Sequence, residues 1–127
     1  MPKVSKESAA RVQDFGVAED RSEEVEGYTV NFVSIRQEMD LAPMFKGLPG
    51  DRCSCPHWGY VFRGRLTLSF ADREEVYEAG DAFYIPRGHT PRSDADTEFV
   101  QFSPTEELRP TEAVIMKNMQ AMQGGGS

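Results

Sequence analysis

The 127-residue chain carries a formal charge of −7 and a sequence pI near 4.8, a balance that disfavours nucleic acid and anionic membranes as partners. Its 39% hydrophobic and 28% charged residues suit a single soluble globular domain with a modest core. No apolar run approaches membrane-spanning length, and the opening MPKVSKESAARVQDFG lacks the apolar centre of a signal peptide. A cytoplasmic location is therefore expected, with Cys53 and Cys55 as thiols rather than a structural disulfide.

Residues 1–27 are polar and read as an N-terminal arm, with a short helix from Ser5, a good N-cap, to about Gln13. From Tyr28 the pattern changes, and YTVNFVSIRQ reads as a strand. DLAPMFKGLPGDR holds Pro43, Gly47, Pro49 and Gly50 and must be mostly loop. The runs HWGYVFRG, RLTLSF, EEVYEAG, DAFYIPRG and TEFVQFSP then follow one another between turns. In RLTLSF, Leu66, Leu68 and Phe70 share one face, as in a half-buried antiparallel strand. Short strands at this spacing indicate an all-β sandwich or small barrel over residues 28–109. At Pro110 the period becomes helical, and Ile115, Met119 and Met122 form an apolar stripe on a helix over 110–123. Residues 124–127, Gly-Gly-Gly-Ser, read as a flexible tail.

Two blocks carry a resemblance. In GDAFYIPRGH, a glycine (Gly80), five residues and Pro86-Arg87-Gly88 resemble the second motif of the cupin superfamily. The first motif of that family ends in a glutamate, six residues and a glycine; here His57, six residues and Gly64 occupy those places. Fifteen residues separate Gly64 from Gly80, within the family's short spacing. The resemblance implies a cupin-type antiparallel jelly-roll barrel whose interior can enclose a ligand. Cupin metal centres usually use a His-x-His pair, the glutamate and a later histidine. In this chain the pair falls on Asp51 and Cys53, the glutamate on His57, and the later histidine on Pro91, with His89 two residues before it. The usual set is not present.

The stretch CSCPHWGY nevertheless concentrates chemistry, holding both cysteines, the one tryptophan and one of two histidines. In an extended strand Cys53, Cys55 and His57 would share a face unless Pro56 breaks it. With His89 they could hold a divalent transition metal such as zinc. Without metal, the same residues form the wall of an apolar pocket, with the cysteines as small hydrophobes. A redox dithiol or a nucleophilic Cys–His pair are further readings. His57, His89, Trp58, Tyr60, Phe62 and Phe83 are the expected pocket residues. Arg87 and Arg92 could attract a carboxylate ligand.

These features favour a small-molecule-binding cupin, with or without an atypical bound metal. A metal-dependent oxygenase or isomerase and a non-catalytic structural or regulatory module are alternatives. A homodimer is expected, because sheet edges, the arm and the methionine-bearing helix offer surfaces to pair.

Overall fold

Turn residues cut the chain into short strands that alternate between a covered and an open face. The computed structural model describes residues 3–124. Its strands are β1 (Arg11–Asp14), β2 (Ala18–Val25), β3 (Tyr28–Ile35), β4 (Met39–Asp40) and β5 (His57–Arg63). They are followed by β6 (Arg65–Ser69), β7 (Glu74–Glu78), β8 (Ala82–Ile85), β9 (Thr90–Ser93) and β10 (Thr97–Pro104), then helix α1 (Thr105–Gly124). One sheet has the order β1-β2-β3-β10-β5-β8 and the other β4-β9-β6-β7. Every ladder between these strands is antiparallel. Two facing antiparallel sheets with one C-terminal helix are the expected jelly-roll architecture, here open rather than closed into a barrel.

The core between the sheets joins Ile35, Val61, Leu66, Leu68, Ile85 and Phe99. Leu66, Leu68 and Phe70 are all buried, as their shared face requires. A second cluster of Phe45, Leu48, Cys53, Cys55 and Leu108 lies beneath α1. Gly64 makes the β5–β6 turn at φ 83°, and a Cβ there would stand 2.6 Å from the Thr97 Cα. No other residue fits that corner without displacing backbone.

Three local expectations need correction. The helix from Ser5 to about Gln13 does not form. The Ser8 amide does donate to Ser5 Oγ at 3.2 Å, but the turn ends there and Arg11–Asp14 pairs with β2 instead. A ladder that extends a six-stranded sheet outweighs one weak cap. Residues 1–27 therefore hold two sheet strands besides their opening turn. The helix begins at Thr105, not Pro110, with Glu106 and Glu107 favourably placed in its first turn. Leu108, in the added turn, is buried, so the earlier start adds core contact. Of the expected tail, Gly124 closes α1 and residues 125–127 lie outside the described residues. No helix among the described residues is long and apolar enough to cross a membrane.

Candidate functional site

Strand register decides which side chains face inward. Across the six-stranded sheet, Gly59, Gln101, Asn31, Ser22 and Arg11 stand opposite one another, and Val61, Phe99, Val33, Asp20 and Gln13 form the next line. His57, at the start of β5, shares the face of Gly59 and Val61. Together with the inner residues of the second sheet and α1, this face encloses a cavity of about 230 Å³. A single water needs only about 10–15 Å³ on such a measure, so there is room for a small organic molecule.

At one end of the cavity Cys53, His57 and His89 converge, all buried, with ligand atoms within 4.8 Å of one another. Backbone pairing brings two of them together: the Cys53 amide donates to the His89 carbonyl, and the Gly88 amide to the Cys53 carbonyl, each at 2.8 Å. His57 arrives from β5 in the other sheet, and the two imidazoles stand edge to face with centroids 5.1 Å apart. Cys53 Sγ lies 3.5 Å from His57 Nε2. His57 Nδ1 is bonded to the Ser103 hydroxyl at 2.6 Å, and His89 Nδ1 donates to the Pro86 carbonyl at 2.8 Å. Both outer nitrogens are thus engaged, and each ring presents Nε2 to the site.

Burial, aided by the neighbouring His89, lowers the His57 pKa to about 3. Burial also lowers His89, against the opposing pull of the Pro86 carbonyl. The Cys53 thiol is pushed up by burial, against smaller opposing effects from the Cys55 backbone and the nearby Thr111 side chain. Cys55 rises to about 12, chiefly by burial. A neutral thiol beside a neutral imidazole is a poor nucleophile pair, since the thiolate is the reactive form. It is a sound metal donor set, because a bound cation displaces the thiol proton. For zinc at about 2.3 Å from sulfur and 2.0 Å from nitrogen in a tetrahedron, the two ligand atoms stand roughly 3.5 Å apart. The Cys53–His57 separation fits that requirement.

The remaining expected site residues fall elsewhere. Cys55 is a free thiol like Cys53, but it donates to the Pro56 carbonyl and packs against the cluster under α1. Pro56 interrupts the extended run, so Cys53, Cys55 and His57 do not share a strand face. Trp58, Tyr60 and Phe62 do not line the cavity; strand alternation turns them outward, 41%, 41% and 48% exposed. Phe83 is core, stacked on Tyr77 with centroids 5.4 Å apart. Asp51 accepts from the Gly47 amide in an exposed turn. Arg87 pairs with Glu107 and Arg92 with Glu74 on the surface.

Sequence reading missed the inward polar residues of β2 and β3, Asp20 and Asn31, and the helix residues Thr111 and Glu112, all of which line the cavity. Asp20, Ser22 and Glu24 alternate on one strand, a signal that was hidden by treating residues 1–27 as an arm. The α1 residues Leu108, Thr111, Glu112, Ile115 and Met119 recur at helical spacing and close the mouth.

No protein-family profile matches the chain, and no curated protein matches its sequence. Solved structures of similar fold include a protein of unknown function from Rhizobium leguminosarum bv. viciae, at 19% identity and TM-score 0.57, covering 81% of this chain and 94% of that one. An RmlC-like cupin from Shewanella frigidimarina aligns at 16% identity and TM-score 0.54, over 80% of this chain and 88% of the other. The polyketide cyclase RemF from Streptomyces resistomycificus aligns at 15% identity and TM-score 0.56, over 82% and 79%. At these identities the likeness is one of fold. The chain has the cupin fold, as its two motifs implied.

Proposed function

We propose that this cupin-fold protein binds a small, largely apolar molecule in the inner cavity, over a zinc ion held by Cys53, His57 and His89. The observation that carries the reading is the convergence of three buried donors on the wall of that cavity. Three protein ligands leave one position of a zinc centre open to the cavity, where the metal would polarise a carbonyl or activate a water. Ser103 and the Pro86 carbonyl would hold the two imidazoles in register for it. The apolar walls exclude water from the bound molecule. Elemental analysis of protein purified without a metal column tests the reading, with about one zinc per chain expected. Protein that is fully folded, free of metal and unaltered by added zinc would leave the metal-free pocket instead.

The open position also supports a second reading, a metal-dependent enzyme; a neighbour of the same fold is named a polyketide cyclase. Its test is turnover lost on chelation and restored by zinc. The two free thiols suit a reducing compartment such as the cytoplasm. The outer face of the six-stranded sheet, where Tyr28, Trp58, Tyr60, Phe62, Tyr84 and Phe102 are exposed, supports a homodimer formed through that face. Light scattering at micromolar concentration measures it.

A further inference from the structure

Away from the cysteine–histidine end, the cavity wall turns polar. Among the described residues, two buried side-chain atoms have no hydrogen-bond partner, Asn31 Oδ1 and Thr111 Oγ1. Both residues line this cavity, with only 2% and 1% of their surfaces exposed. A buried acceptor left unpaired keeps its desolvation cost uncompensated. Asn31 Nδ2 donates to both Asp20 oxygens, at 3.0 and 3.2 Å, which fixes the amide and leaves Oδ1 as the free acceptor. Asp20 comes from β2 and Glu112 from the cavity side of α1.

Burial raises the pKa of both carboxyls, and Asp20 adds to the rise at Glu112, so the two sense one another. Arg11 acts on both from the opposite side of the balance. Glu24, the other acid near Glu112, is paired with Arg109 at 3.2 Å. Two carboxyls against one guanidinium leave this end with an excess of one negative charge when both ionise. Thr111, whose hydroxyl also neighbours Cys53, stands between the two ends of the cavity.

We propose that Asp20, Asn31 and Glu112 form a subsite for a primary amine on the bound molecule, whose apolar body then runs toward Cys53, His57 and His89. This rests on the cavity being a small-molecule site. An ammonium carries three donors for one amide oxygen and two carboxyls, and its charge offsets the local excess. An alcohol offers one donor and no charge. A carboxylate would face acceptors. Asn31 lies on β3, two strands from His57 on β5 and two residues along the register, so the two are about 12 Å apart across the sheet.

The test is titration calorimetry with hexylamine, hexan-1-ol and hexanoate at pH 7, on the full chain and on Asp20→Asn and Glu112→Gln, with zinc content measured in parallel. Hexylamine should bind at least tenfold more tightly than hexan-1-ol, with hexanoate weakest. Each variant should reduce the amine preference to under threefold while zinc content stays as in the parent. Equal binding of amine and alcohol, a preference for hexanoate, or an amine preference that survives both variants overturns the subsite and leaves the cavity reading standing. Binding of none of the three removes both. Two substitutions on different elements, one on a strand and one on the helix, keep the result readable should either variant fold poorly.

Discussion

The two faces of β5 depart from the usual pattern of a sheet. The inner face carries His57, Gly59 and Val61, and across the ladder on β10 stand Ser103, Gln101 and Phe99. The outer face carries Trp58, Tyr60 and Phe62, with Tyr84 and Phe102 beside them. A half-buried antiparallel strand usually points apolar residues inward and polar ones outward. Here buried polar groups stand among the apolar ones inside, where each costs free energy unless bonded, and the three rings of β5 are outside. The lesson is that richness in aromatic residues did not mark the cavity. The buried polar residues did.

The largest expected effect breaks the inner face sterically. A Cβ on Gly59 would stand 2.1 Å from the Val100 carbonyl oxygen and 2.4 Å from Phe83 Cζ. Gly59→Ala should therefore cost roughly 3 kcal/mol or more by urea denaturation. Tyr60→Ser, one residue away on the outer face, should cost under about 1 kcal/mol. Similar costs for the two would dissolve the contrast between the faces.

Next in size is a pH effect on metal-free protein. His57 and His89 have folded pKa values below their ordinary value, so the unfolded chain takes up protons first as the pH falls. Their stabilisation is complete above about pH 6.5 and is lost on acidification toward the folded pKa, near 3 for His57. Each imidazole contributes a slope of up to about 1.4 kcal/mol per pH unit within that window. Asp20 and Glu112, with raised pKa values, act in the opposite sense. An Asp20→Asn/Glu112→Gln double variant should consequently show a steeper fall between pH 6.5 and 4.5 than the parent. Stability flat across that range in both proteins would mean that the imidazoles are not held neutral.

A smaller change sharpens the metal end. Ser103 bonds His57 Nδ1 without reaching the proposed ion. Ser103→Ala should lower zinc affinity about 10–100-fold, as loss of a ligand's supporting hydrogen bond does elsewhere. Competition with a chromophoric chelator measures it, and unchanged affinity would remove His57 from the ligand set. The mildest substitution lies outside. Trp58→Ser should shift the proposed dimer toward monomer in light scattering and leave zinc content and monomer stability nearly unchanged, whereas a dimer that survives it intact would move the interface elsewhere.

Local chemistry alone determined much of this molecule. The turn residues, the period-two runs from Tyr28 to Pro104 and the two glycine-centred motifs were enough for an antiparallel cupin fold with a C-terminal helix, because each is a short-range signal. His57 and His89 were also recognisable as candidates, since one stands at a motif position and the other two residues before one. What lay beyond reach depended on pairing between distant strands. Only the Cys53–His89 bridge decides that Cys53 joins the imidazoles while Cys55, two residues on, is buried among apolar side chains. Only the β1–β2 and β2–β3 registers turn Asp20 and Asn31 inward, in a segment whose composition reads as a polar arm. A single-residue change of register would send every such side chain to the opposite face. Which polar residue is buried is therefore a property of the assembled sheet, and no window of sequence contains it.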